Sequence, residues 1–271
     1  MGKSLNLALA QMLVLPGEPA GNLARAEDRI ATAAARGADI VLLPEVLDCG
    51  WSHPSARELA GSIPDGDACR RLRAAARFNR VYVCAGLGER TPSSGQRGPE
   101  VFNAAVLIDP QGEVILHHRK INELAFARNL YSAGDRLGVV ETPWGRIGLM
   151  ICADAFVPGQ ILGRSLCLMG AEVILSPCSW AVPADHDNVR EPYGQLWLDN
   201  YGPVARDFGV WIAGCSNVGP LTAGEWRGRK CIGSSLVCNP KGELALRADY
   251  GEAADALLLT RLDLAAKLTQ A

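Results

Sequence analysis

A chain of 271 residues, 48% hydrophobic and 21% charged, has enough apolar material for a large core and reads as a single α/β unit. Its formal net charge of −2 excludes a nucleic-acid partner, because phosphate binding needs a basic excess or stripe. The nine cysteines are odd in number and never form C-x-x-C, which argues against a disulfide framework or a structural zinc site and fits a reduced cytoplasm.

The start, "MGKSLNLALAQMLVLPG", is broken by Gln11 and continues as a strand pattern, so neither a signal peptide nor a membrane span is expected there or elsewhere. "LNLALAQMLV" (5–14) reads as a buried strand. "NLARAEDRIATAAARG" (22–37) places Leu23, Ala26, Ile30 and Ala34 on one helical face, with Asn22 as N-cap and Gly37 as terminator. "ADIVLLPE" (38–45) is a second buried strand. A helix over about 66–79, with "CRRLRAAAR" (69–77) as its solvated face, leads into the strand "VYVCAGLGER" (81–90). "TPSSGQRGP" (91–99) is a loop by composition. "VFNAAVLID" (101–109) and "EVILHHRKI" (113–121) flank the turn "PQGE" as a hairpin, and "LGVVET" (137–142) and "IGLMIC" (147–152) flank "PWGR" as another. A helix at about 158–169, the strand "AEVILSP" (171–177), a helix at about 193–208 and "VWIAGCSN" (210–217) follow. "SSLVCNP" and "ELALRA" pair around "PKG", and "ALLLTRLDLAAKLTQ" reads as a strand followed by a helix or tail. No internal repeat or linker splits this alternation, so one domain over 1–271 with a mixed sheet system is expected.

A G-x-S-x-G elbow, a phosphate-binding P-loop and an H-E-x-x-H site are all absent. The four histidines are His53, His117, His118 and His186, and the adjacent pair on a strand must point to opposite faces. Three residues stand out because each closes an apolar strand: Glu45 in "DIVLLPE", Lys120 in "EVILHHRK" and Cys152 in "IGLMIC". Catalytic groups gather where strands turn into loops. Together a carboxylate, an ammonium and a thiol make a complete acyl-transfer set: a base for the thiol proton, a nucleophile and a cation for the developing oxyanion. Each also has a plainer reading, as a helix-terminal charge, a surface strand residue and a small packed hydrophobe.

"LLPEVLDCGW", "HHRKINE" and "GRIGLMICADAF" resemble, in order and spacing, the three signature blocks of the nitrilase superfamily of carbon–nitrogen hydrolases. The resemblance extends through "LNLALAQM", "AEVILSPCSWA", "VWIAGCSNVG" and "GSSLVCNPKGEL". It implies a four-layer αββα sandwich, no metal or organic cofactor, and a homodimer or higher homo-oligomer in which the 193–208 helix takes part. It implies Glu45 as general base, Lys120 as electrostatic stabiliser, Cys152 as nucleophile and the Ala153 N–H as an oxyanion donor. The expected reaction is hydrolysis of a small-molecule amide or carbamoyl group through a thioester, with release of ammonia or an amine. A nitrile cleaved through a thioimidate, or a non-catalytic binding protein retaining the fold, is the alternative.

The sequence departs from the family pattern where many members carry a second glutamate: that position falls at Ala127. Glu123 is the one carboxylate between Lys120 and Gly134, and either it substitutes or the site does without the group. A competing role for Glu123 is to cap the helix-like segment "LAFARNLYS". The residue after Cys152 is a small alanine where relatives often carry a bulkier one. Trp180 is a candidate pocket wall, although a tryptophan is more often simply a packed core residue.

Overall fold

The computed structural model describes residues 3–92 and 99–264. In chain order it forms β1 (Lys3–Gln11), α1 (Pro19–Ala35), β2 (Ile40–Leu42), α2 (Ala56–Leu59), α3 (Asp67–Asn79), β3 (Tyr82–Arg90), β4 (Val101–Ile108) and β5 (Val114–Arg119). The second half adds β6 (Val139–Thr142), β7 (Gly145–Leu149), α4 (Ile161–Leu168), β8 (Val173–Cys178), β9 (Ala181–Val182), α5 (Gln195–Phe208) and β10 (Trp211–Ser216). It ends with β11 (Val218–Pro220), β12 (Lys230–Ile232), β13 (Leu236–Cys238), β14 (Leu244–Arg247) and β15 (Ala256–Leu264).

Two six-stranded sheets carry the fold, ordered β15-β1-β2-β3-β4-β5 and β14-β13-β10-β8-β7-β6, beside a small sheet β11-β12-β9. The period-two rule explains how they stack. In β1, Leu5, Leu7 and Leu9 pack toward Leu149, Ile174 and Ile212 of the other sheet, whereas Ala8 and Ala10 pack toward Leu23, Ala26 and Ile30 of α1 and Leu72 of α3. On the far side α4 and α5 contribute Leu166, Trp197, Val204 and Ala205. The layers are therefore α1/α3, sheet, sheet and α4/α5, the expected αββα sandwich. Ile161 and Leu168 of α4 and Leu196 of α5 remain exposed on the outer layer. Among the described residues, no helix is long and apolar enough to cross a membrane.

Both expected hairpins form, β4 antiparallel to β5 and β6 antiparallel to β7. Several boundaries differ: β1 stops at Gln11, β2 at Leu42 and β7 at Leu149, each short of the expected strand end. The first helix begins at Pro19 rather than after Asn22, with Glu18 at its N-cap and proline in its first turn. Asn22 is not a cap. Its amide is used in tertiary bonds, accepting from Leu15 N (2.8 Å) and donating to the Leu15 and Asp48 carbonyls (2.8 and 3.0 Å). Part of the 91–99 loop and the stretch after Leu264 lie outside the described residues.

Candidate active site

Within each large sheet the parallel strands deliver their C-terminal ends to one region. Glu45 follows β2 by three residues, Lys120 follows β5 directly, and Cys152 follows β7 by three. The chain turns sharply after β2, with Val46 at φ 41°. Gly86 permits the close approach there, since a Cβ on it would stand 2.5 Å from Glu45 Cα. The Glu45 N–H donates to the carbonyl of Cys178 at the end of β8 (3.1 Å), which ties the first sheet to the second.

The three predicted residues converge as charged and nucleophilic groups in a buried site. Lys120 Nζ donates to Glu45 Oε1 at 2.6 Å, and both side chains are fully buried. Asn103, on β4, donates to the same Oε1 at 2.6 Å. Glu45 Oε2 is buried with no hydrogen-bond partner among the described residues. Burial works against the Lys120 ammonium, but the charges of Glu123 and Glu45 outweigh it and hold its pKa well above the ordinary lysine value. Cys152 experiences the opposite. Burial, a hydrogen bond with Cys178 and the Glu45 charge push its thiol well up, and Lys120 only partly offsets them.

Glu123 also arrives at the site. Its Oε2 lies 3.6 Å from Lys120 Nζ, and neither carboxylate oxygen has a hydrogen-bond partner among the described residues. Burial raises its pKa to about 7 against the pull of Lys120. The capping role does not hold: "LAFARNLYS" contains one short 3₁₀ turn, Ala125–Asn129, whose N-cap is Leu124 without a side-chain cap bond. Ala127 is buried in that turn, among Trp51, Tyr131 and Phe126.

Cys152 sits at φ 44°, a left-handed conformation that costs a non-glycine residue about 1–3 kcal/mol and recurs at strained strand-to-helix elbows. It opens a 3₁₀ turn, Cys152–Phe156, which leaves the first-turn N–H groups of Cys152 and Ala153 pointing out of the turn. The Cys152 N–H is taken by Ser176 Oγ at 3.1 Å.

Asp154 anchors this elbow to the lysine strand. Its Oδ1 accepts from Ile121 N (3.1 Å) and Asn122 N (2.8 Å), and its Oδ2 from Ile151 N (2.9 Å) and the His118 ring at Nε2 (2.8 Å). Asn122 Nδ2 returns a bond to the Ala153 carbonyl at 2.6 Å. Despite full burial, the His118 bond and charge, with the backbone donors, hold the Asp154 carboxyl below its usual value. We expect Asp154→Asn to leave buried backbone donors facing an NH₂ and to cost roughly 3 kcal/mol. A chain of this size should then melt about 5–10 °C lower, and calorimetry showing an unchanged Tm would refute the anchoring role.

The two adjacent histidines do point apart: His117 bonds Glu89 at 2.9 Å on the outer side, and His118 reaches inward to Asp154. His118, Asn103 and Ser176 are site-building residues that sequence reasoning missed. The available signal was a polar residue interrupting an apolar strand. Trp180 is buried in an aromatic stack, 4.3 Å from the Trp197 ring and 6.2 Å from Tyr193. Its packing role is what the structure displays. Among the described residues, no cluster of His, Cys, Asp and Glu is placed to hold a metal ion.

Comparison with known proteins agrees with this geometry. The family model described as carbon-nitrogen hydrolase matches residues 6–267. A protein of Pyrococcus abyssi named nitrilase is 32% identical over 253 residues, covering 92% of this chain and 86% of that protein. The crystal structure of an amidase from Nesterenkonia sp. superposes with a TM-score of 0.74 at 25% identity, covering 96% of this chain and 90% of that one. Nit3 of Saccharomyces cerevisiae shares the fold at a TM-score of 0.79 and 22% identity, over 96% of this chain and 90% of its own. On the extent of the family match, the chain belongs to the carbon-nitrogen hydrolase family, within the nitrilase superfamily.

Proposed function

We propose that the chain hydrolyses an amide or carbamoyl carbon–nitrogen bond of a small molecule through a thioester on Cys152. The observation that carries this reading is the asymmetry of the Glu45 carboxylate. Oε1 is clamped by Lys120 and Asn103, while Oε2 is buried and has no hydrogen-bond partner among the described residues. A carboxylate fixed at one oxygen keeps the lone pairs of the other for a proton. That base is needed, because burial keeps Cys152 as a thiol and the thiolate is the nucleophile.

In the first half-reaction Glu45 takes the thiol proton as the sulfur attacks the carbonyl carbon. Negative charge grows on the carbonyl oxygen, and Lys120 and the Ala153 N–H stabilise it. The C–N bond breaks as Glu45 returns its proton to the leaving nitrogen, which departs as ammonia or an amine. In the second half-reaction Glu45 deprotonates a water and the hydroxide attacks the thioester; the C–S bond then breaks to release the acid, and Glu45 returns the proton to the Cys152 sulfur.

A nitrile would engage the same groups through a thioimidate, and the Pyrococcus abyssi relative named a nitrilase supports that as the second reading. Ammonia release from a panel of amides, carbamoyl-amino acids and nitriles separates the two. The expected result is turnover of an amide or carbamoyl compound, with an acyl adduct on Cys152 in the quenched enzyme by mass spectrometry. Release from nitriles alone would favour the second reading. An adduct on another residue, or no release from any class, would overturn both.

A further inference from the structure

Three arginines from separate parts of the chain line one surface cavity of about 310 Å³. Arg57 comes from α2, Arg90 ends β3, and Arg128 lies in the 3₁₀ turn that follows Glu123. All three are exposed, in contrast to the buried Glu45, Lys120, Glu123 and Cys152. Hydrogen bonds fix the segments that carry them. The Arg90 N–H donates to the Gly61 carbonyl just beyond α2 (2.8 Å), and the Ser132 N–H donates to the Val101 carbonyl (2.8 Å). The Arg57 guanidinium donates to the Asn129 carbonyl (2.5 Å), and Arg128 Nε donates to the Glu123 carbonyl (3.3 Å).

These bonds leave most of the guanidinium donors free. Elsewhere on the surface Arg71, Arg73, Arg119 and Arg164 each hold a carboxylate, at 2.7, 3.1, 2.6 and 2.8 Å. Among the described residues, no carboxylate comes within 4.0 Å of the Arg57, Arg90 or Arg128 guanidinium. Glu100, which also lines the cavity, instead accepts from Ser132 Oγ at 3.3 Å. The lining thus sets three guanidiniums against one carboxylate, on a chain whose net charge is −2. Like charges gathered this way repel, and an anion among them removes the repulsion. The guanidinium fork matches phosphate oxygens two at a time. A tetrahedral dianion offers oxygens to donors from three segments at once, which a single flat carboxylate does not.

We propose that Arg57, Arg90 and Arg128 form a binding site for a phosphate dianion, either free or as the phosphate group of a small metabolite. Bound there, the anion bridges α2, the end of β3 and the 124–131 turn, and it braces the segment that follows Glu123. The site stands on its cavity and its charges, so it is independent of the reaction at Cys152.

The full chain is titrated by calorimetry with inorganic phosphate and, separately, with glycerol phosphate. Ionic strength is held constant with sodium chloride, so that general screening does not change. The expected result is saturable one-to-one binding with a Kd on the order of 1 mM or tighter, and a Tm raised by a few degrees at saturation. Tighter binding of the ester identifies a metabolite's phosphate as the occupant, and equal or weaker binding identifies free phosphate. Arg90 is exposed and bonded through its backbone among the described residues. Arg90→Gln should therefore fold normally and weaken binding about tenfold, while Arg90→Lys, which keeps the charge and loses the fork, falls between. Replacing all three arginines by glutamine should abolish both the heat and the Tm rise, and the single variants decide should that protein unfold. Arg164→Gln, on α4 in the opposite outer layer, should bind as the parent does. No saturable binding of either compound, binding that survives the triple change, or an equal loss in Arg164→Gln would overturn the proposal.

Discussion

Removal of the Cys152 thiol is expected to slow hydrolysis by roughly 10⁴-fold or more, the scale on which interdependent catalytic groups fail. Glu45→Gln should cost a similar factor, and the Cys152→Ala, Glu45→Gln double variant little more than either single change. The reason is in the geometry: with no base at Oε2 the thiol stays protonated, and with no thiol the base has nothing to activate. Lys120 differs from the other two in what else it does. Its ammonium is the cation paired with both buried carboxylates, at 2.6 Å from Glu45 and 3.6 Å from Glu123. Lys120→Met should therefore lose turnover and also cost about 3–5 kcal/mol of stability, the usual penalty for stranding a buried charge. Cys152→Ala, which strands no charge, should unfold close to the parent. Steady-state kinetics and denaturant titration of the four variants check both halves. Near-normal hydrolysis by Cys152→Ala, or effects that simply multiply in the double variant, would refute a single concerted unit.

The candidate site was legible in the sequence where one strand supplies one group and the resemblance to the nitrilase superfamily singles that group out. Glu45, Lys120 and Cys152 each end an apolar run, and apolar runs of that length have few structural options beyond a buried strand. Local periodicity predicts α1, α3 and the paired hairpins of a mixed α/β unit, whereas their stacking as an αββα sandwich came from the resemblance to the nitrilase superfamily. What could not be read depends on partners far away in the chain. Asp154 and His118 are 36 residues apart, and nothing near either one announces the other. Asn22 carries the local signature of a cap, but bonds to Leu15 and Asp48 claim its amide and Pro19 starts the helix instead. The strands of the small sheet, β9, β11 and β12, run only two or three residues, too short for an alternation to register. Trp180 was ambiguous because both a wall and a core position demand a large aromatic. Its stack on Trp197, contributed by α5, is a tertiary fact.

Glu123 tests whether a missing group can be replaced from another point on the chain. Its carboxyl is buried and ion-paired with Lys120, with neither oxygen hydrogen-bonded among the described residues, where a second carboxylate could orient the attacking water and balance the lysine charge. We expect Glu123→Gln to lower turnover by roughly 10²-fold or more, the scale for losing an acid–base group. The stability prediction has the opposite sign. Burial raises the Glu123 pKa from its ordinary 4.5 to about 7, so the folded protein holds a proton there that the unfolded chain gives up earlier. The stability tied to the neutral carboxyl is complete below pH 4.5 and is lost as pH climbs through about 7. Glutamine cannot titrate. Relative to the parent, Glu123→Gln should gain stability between those limits, by an amount on the order of 3 kcal/mol. A residue kept at the expense of stability and needed for rate is what a catalytic position looks like. A merely structural Glu123 would give the reverse pairing, normal turnover with reduced stability, and that outcome in parallel kinetics and melting curves from pH 5 to 8 would remove it from the site.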